Sequence, residues 1–221
     1  MIELISIHIA KTGGQSFYEI LRNEYGDSLD KRNKRVDYFP DKDYDNTLIN
    51  RIPDHIHVLH GHLHYSHVKE IHEKHRPKII AWLREPVDRV ISNYYYMISR
   101  VNELGDKHPQ YRKRNHSLLE YAKDSVPNKM SKCLKGISLN ELFYFGFQES
   151  FGEDVRILAN MLGWKKEIPE IRVNTGASFD SYVTAPTPKE EIDSAMKVEI
   201  ANINLEDIKL YDEAKKLKKS L

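Results

Sequence analysis

The sequence predicts an α/β fold: one domain over residues 1–221, built as three layers, with a central, mostly parallel sheet flanked by helices. Three observations predict it. Short apolar runs rich in β-branched residues alternate with segments of helical apolar spacing. The alternation continues along most of the chain, the pattern of strands joined by helical crossovers. At 40% hydrophobic and 10% aromatic residues, 221 residues suffice for one such core.

The elements follow in order. Ile2–Ile9 is β-branched and leads into Gly13-Gly14, a buried strand followed by a turn. Phe17, Ile20 and Leu21 give 15–25 helical spacing. Charges and turn formers make 26–47 an irregular excursion. Ile56–Leu59 is a short strand, 68–74 a helix, and Lys78–Leu83 the clearest central strand. A helix over 87–101 begins just after Pro86. Residues 105–140 are polar and helical in pieces, and Leu142–Phe147 is a further strand. The 149–162 helix aligns Phe151, Val155, Leu158 and Leu162, with Gly163 as its cap. A loop over 165–188 precedes helices at 189–201 and 205–219.

Charge excludes some functions. The 34 Lys and Arg nearly balance 33 Asp and Glu, without the basic excess of a large nucleic-acid footprint. The clusters Lys31–Arg35 and Arg112–Arg114 are read as solvated faces. A single cysteine, Cys133, permits no internal disulfide and suits a reducing cytoplasm. The N-terminal residues show neither a basic leader nor a membrane-length apolar run, so the expectation is a cytoplasmic protein without a membrane anchor.

Two segments carry anion chemistry. In His8-Ile9-Ala10-Lys11-Thr12-Gly13-Gly14-Gln15-Ser16, a strand, a glycine turn and a helix start bring backbone N–H groups to the positive end of a helix dipole. Gly13 and Gly14 permit positive φ and close approach, Lys11 adds a cation, and Thr12 and Ser16 add hydroxyls. A Walker A loop would place Lys-Ser or Lys-Thr after its second glycine; here the lysine precedes both. In the second segment, Arg84 stands at a strand's carboxyl end, where open α/β sheets bind ligands, and its guanidinium suits a phosphate. Ser92 follows on the next helix, and Arg89 is assigned a structural pair with Glu85.

The Ile7–Ser16 string resembles the 5′-phosphosulfate loop of the carbohydrate sulfotransferases, particularly the family containing heparan sulfate 2-O-sulfotransferase. The similarity implies a P-loop-like sulfotransferase fold with 3′-phosphoadenosine 5′-phosphosulfate (PAPS) as co-substrate. It implies that Lys11 contacts the bridging oxygen and sulfuryl group, while Thr12, Gly13, Gly14, Gln15 and Ser16 wrap the 5′-phosphate. Trp82–Tyr95 has the family's strand-end arginine followed eight residues later by serine, giving Arg84 and Ser92 the 3′-phosphate. Arg172–Ser178 resembles the family's late closing loop, with Asn174 as a nucleotide contact, and Leu205–Asp212 its closing helix. The animal Golgi members carry an anchor and disulfides, and neither is expected here.

Eight of the 11 histidines fall between His55 and His75. His60, His62 and His64 alternate and would share one face of a strand; zinc is the obvious rival reading. No cysteine or spaced carboxylate completes a ligand set, and no metal is expected. Leu59-His60-Gly61-His62 matches the His-Gly-His of the uronyl 2-O-sulfotransferases, whose histidines lie at the acceptor hydroxyl. His62 is assigned as general base and His60 as orienting it or the acceptor, roles the sequence leaves exchangeable. The resemblance implies in-line sulfuryl transfer from PAPS to a hydroxyl, by analogy a carbohydrate's, releasing 3′,5′-adenosine bisphosphate. The rival functions are a P-loop kinase-like phosphotransferase and a non-catalytic nucleotide- or metal-binding protein.

Overall fold

The computed structural model describes residues 1–32, 52–168 and 191–219. Among the described residues, five strands form one parallel sheet: β1 (Leu4–Ile7), β2 (Leu29–Arg32), β3 (Val58–Gly61), β4 (Lys78–Leu83) and β5 (Tyr144–Phe147), in spatial order β2-β3-β1-β4-β5. The register runs Ser6 beside His60 and beside Ile80. Every residue of β1 and β3 is buried, which is expected of parallel strands covered on both faces.

The described residues form two compact units, divided at Leu83/Arg84 and Lys129/Met130. The first holds the sheet with α1 (Gly14–Tyr25), α2 (Tyr65–His75) and α6 (Phe151–Leu162). The connection β1–α1–β2 steps toward one sheet edge and β3–α2–β4 toward the other. Right-handed crossovers therefore place α1 and α2 on opposite faces. On the α1 face, Leu4, Val58, Ile80 and Trp82 of the sheet pack against Phe17, Ile20 and Leu21 of α1 and Phe151, Val155 and Leu158 of α6.

The second unit holds α3 (Pro86–Leu104), α4 (Leu118–Lys123), α7 (Ser194–Ile203) and α8 (Leu205–Lys219); the short α5 (Lys129–Cys133) begins at the boundary. Its core joins Val90, Tyr94, Met97 and Val101 of α3 to Leu118 and Tyr121 of α4 and Ile200 of α7.

Three sequence readings change. The described part of the 26–47 excursion contains β2, an edge strand whose Asp30-Lys31-Arg32 reads as loop because an edge needs few apolar residues. Arg89 is buried and its ion pair runs to Asp207 of α8, at 3.8 Å, a partner that helical spacing does not show. Lys113, read as solvated, is buried: its Nζ donates to the Asp124 carbonyl (2.6 Å), lies 3.1 Å from the Asp124 carboxylate and stands over the Tyr121 ring.

Candidate active site

β1 ends at Ile7, and the chain turns through Ala10–Gly13 into α1. The turn is shaped by two left-handed residues, Lys11 at φ 70° and Gly13 at φ 92°. For Lys11, which has a Cβ, that conformation is uncommon and is held by the surrounding turn. Gly13 is the N-cap of α1, so no side chain caps the helix, and the first turn holds no acidic residue. The first N–H groups of a 12-residue helix thus start at Gly14 without a carboxylate of their own. Such an arrangement attracts an external anion.

The two glycines differ. Gly13 has positive φ, and a Cβ there would stand 3.2 Å from the Phe151 ring of α6. Gly14 is ordinary helix; its Cβ would fall 1.8 Å from His8 Cδ2. Gly14 is therefore glycine because an imidazole lies against it. The Thr12 hydroxyl, read from sequence as a donor to the anion, donates instead to the Ile9 carbonyl at 2.9 Å, and the residue is fully buried. What Thr12 can offer an anion is its backbone N–H. Gln15 is exposed, with its amide 3.4 Å from Glu19, and Ser16 is half-buried in the first turn of α1.

Beside this turn, β3 ends in His60 and Gly61 and is followed by His62. His60 lies under α1, 1% exposed, its Nδ1 2.9 Å from Ser6 Oγ and its ring near Phe17 and Tyr18. His62 is half-buried. Its Nδ1 donates to the His8 carbonyl at 3.0 Å, since a carbonyl only accepts. That bond fixes the tautomer and leaves the neutral ring's lone pair on Nε2. The rings of His8 and His62 stack at 4.2 Å, and those of His8 and His60 at 5.1 Å. His8 belonged to the sequence motif but had no role there. Its signal was position: two residues beyond Ser6, at the end of the strand that pairs with His60.

His64 does not join this group. It precedes α2 as its N-cap, and its N–H donates to His67 Nδ1 at 3.1 Å. His72 bonds the Tyr65 hydroxyl at 2.9 Å. Among the described residues, no three His, Cys, Asp or Glu side chains are grouped to hold a metal ion.

The turn is braced from below by the β5–α6 junction. Asp154 is 1% exposed and accepts from the Phe147 N–H (2.7 Å), the Ser150 hydroxyl (2.8 Å) and the Tyr144 hydroxyl (3.2 Å). Burial first, and then the Asp154 charge, push the Tyr144 phenol well above its ordinary value, so it remains a donor. This junction sets Phe151 against Gly13.

In the second unit, Arg84 directly follows β4 and is half-buried, and Ser92 lies half-buried on α3. Glu85, the N-cap of α3, accepts from the Asp88 N–H at 2.7 Å. Asn128 holds α8: its N–H donates to Asn204 (3.0 Å), and its Oδ1 accepts from the Glu206 and Asp207 N–H groups (3.0 and 3.2 Å). Asn174 and the rest of Arg172–Ser178 lie outside the described residues. Among the described residues, no helix is long and apolar enough to cross a membrane.

Residues 2–212 match the model of the sulfotransferase family, and the chain belongs to that family. The solved structures similar to it include two sulfotransferases. Mouse sulfotransferase SULT7A1 complexed with PAP is 15% identical, with a TM-score of 0.46, over 94% of this chain and 65% of the mouse chain. A sulfotransferase from Alicyclobacillus acidocaldarius is 14% identical, with a TM-score of 0.48, over 97% of this chain and 95% of that one. This chain thus spans about 65% of the mouse protein's length. No curated protein matches it.

Proposed function

We propose that this protein transfers a sulfuryl group from PAPS to an acceptor hydroxyl, with a carbohydrate as the first candidate acceptor. The observation that carries the reading is an uncapped helix N-terminus next to a histidine whose tautomer presents Nε2 as the acceptor. The family match supports it. On this reading the chain works as one sulfotransferase domain, in a reducing, cytoplasmic compartment.

The backbone donors of Lys11–Ser16 hold the 5′-phosphosulfate. His62 Nε2 takes the acceptor's proton as its oxygen attacks sulfur, forming the S–O bond of the ester. The bond from sulfur to the phosphate oxygen breaks. Lys11 and the helix N–H groups stabilise the charge that grows there, and 3′,5′-adenosine bisphosphate leaves. Half-burial favours His62 over the sealed His60 as base; His60, bonded to Ser6, supports the ring stack. Arg84 and Ser92 are assigned the 3′-phosphate, and Asn174 a further nucleotide contact.

Thermal stabilisation by 3′,5′-adenosine bisphosphate, AMP and Mg-ATP tests the reading, because a ligand preferring the folded state raises the melting point. The bisphosphate should give the largest shift, and Arg84→Ala should remove most of its advantage. His62→Ala should abolish PAPS turnover and leave the shift nearly intact. A larger shift with Mg-ATP would overturn the assignment in favour of a kinase-like phosphotransferase.

A further inference from the structure

We propose that His8 is a positioning residue: its ring is the spacer that sets His62 at a fixed distance from the anion-binding turn, and Gly14 is glycine to seat that ring. The proposal rests on His62 being the base.

Four features converge on His8. Its N–H donates to the Gly61 carbonyl at 2.7 Å, which ties the end of β1 to the residue preceding His62. Its own carbonyl accepts the His62 Nδ1–H at 3.0 Å. The two main-chain links are reciprocal, so the end of β1 sets both the backbone beside His62 and the pitch of its ring. The His8 ring then covers the ring of His62, with centroids 4.2 Å apart and planes 22° from parallel. It also lies against Gly14, where an added Cβ would stand 1.8 Å from Cδ2, 2.1 Å from Nε2 and 2.4 Å from Cγ.

Contacts that short admit no side chain at position 14 while the His8 ring keeps its place. The ring thus touches both the first residue of α1 and His62. The helix start that would hold the donor and the imidazole that would take the proton therefore share one ring as neighbour. A base misplaced by about 1 Å can cost on the order of 100-fold in rate. A flat ring, rather than a titrating one, is what this role requires. Phe at position 8 should therefore serve where Ala does not.

The test uses the full-length protein with His8→Ala, His8→Phe, Gly14→Ala and the double variant His8→Ala/Gly14→Ala. Long-range nitrogen–proton spectra of the histidine rings report which nitrogen of His62 carries the proton. The wild type and His8→Phe should show His62 protonated on Nδ1, whereas His8→Ala should show a tautomer mixture. Gly14→Ala should reproduce the His8→Ala spectrum by displacing the ring, so either variant alone decides if the other does not fold. In the His8→Ala background, adding Gly14→Ala should leave the His62 tautomer spectrum as it is in His8→Ala alone. PAPS turnover should follow the spectra: kcat for His8→Ala lower on the order of 100-fold, with KM for PAPS within about twofold, and kcat largely restored in His8→Phe. An unchanged His62 tautomer in His8→Ala, fully additive Gly14 and His8 effects, or a His8→Phe protein as slow as His8→Ala would each overturn the proposal. If the wild type does not turn over PAPS, the sulfotransferase reading fails, and the spectra still decide the role of His8.

Discussion

Truncating Asp154 to Ala is expected to cost about 2–4 kcal/mol of stability, somewhat more than one buried donor left without its acceptor, because three donors lose theirs. The carboxylate is 1% exposed and accepts three hydrogen bonds, from Phe147 N–H, Ser150 O–H and Tyr144 O–H. Hydrogen bonds to a charged group contribute about 1.5–3 kcal/mol each, but they do not add. The two hydroxyls can turn toward other acceptors, while the buried Phe147 amide cannot; its orphaning alone sets a floor of about 1–3 kcal/mol. Asp154→Asn should be milder, about 1–2 kcal/mol, the cost of one imperfect polar contact. Its carbonyl oxygen can keep Phe147 and Ser150, and the Tyr144 hydroxyl can rotate to accept from the new amide. Urea titration measures both, as a change of midpoint at constant slope. The Tyr144 phenol is raised above its ordinary 10.0, so its proton-linked stabilisation is complete below pH 10 and is lost as pH climbs toward the folded value. Neutral-pH titrations therefore report Asp154 without interference from Tyr144 ionisation. The Ala variant should also weaken 3′,5′-adenosine bisphosphate binding, because Phe151 braces Gly13 from this junction. An Ala variant within about 0.5 kcal/mol of wild type, the scatter of neutral surface changes, would refute the reasoning. So would an Asn variant as damaging as Ala.

The remaining predictions address packing, capping and pH. Gly146→Ala drives a Cβ to 2.3 Å from Trp82 Cζ3, a ring already held by Phe17 and Phe151, and should cost about 1–3 kcal/mol or more; calorimetry and tryptophan fluorescence will show whether the indole moves. Asn128→Ala removes the acceptor for two α8 N–H groups at a residue with φ 55°, and should lower stability by about 1–2 kcal/mol. Asn128→Gly, which tolerates that φ, should lose less, and equal losses in urea titrations would show that backbone conformation plays no part. Burial, then Arg100, holds the His108 imidazole below its ordinary 6.5, and its Nδ1 accepts from the Gln110 N–H. The unfolded chain thus binds this proton more readily, so the His108 contribution is complete above pH 6.5 and is lost as pH falls toward the folded value. His108→Gln should flatten that acid-side decline in stability measured from pH 7.5 to 5.5, and an unchanged slope would remove His108 from the account.

How far the sequence carried the fold depends on where each element's information resides. β1 and β4 are buried and apolar, so Leu4–Ile7 and Lys78–Leu83 announce themselves by composition. β2 does not, because an edge strand next to β3 needs little beyond Leu29 and tolerates the charges that make a loop look plausible. The site divides along the same line. Spacing placed Lys11, Gly13 and Gly14 in one turn and paired His60 with His62. It could not tell that α1 seals His60 and leaves His62 half-buried, because that follows from which sheet face α1 covers. The Gly14–His8 contact exists only because Lys11 and Gly13 turn left-handed and fold the helix start back over the strand end. A residue's type reveals the chemistry it can offer, while its partner is chosen by topology. Arg89 makes the point outside the site: an i,i+4 rule offers Glu85, and the packed unit supplies Asp207 from α8. The histidines follow that logic. Their number and alternation suggest a metal or a base, and the bond from His62 to the His8 carbonyl presents Nε2 for either role, which spacing alone does not show.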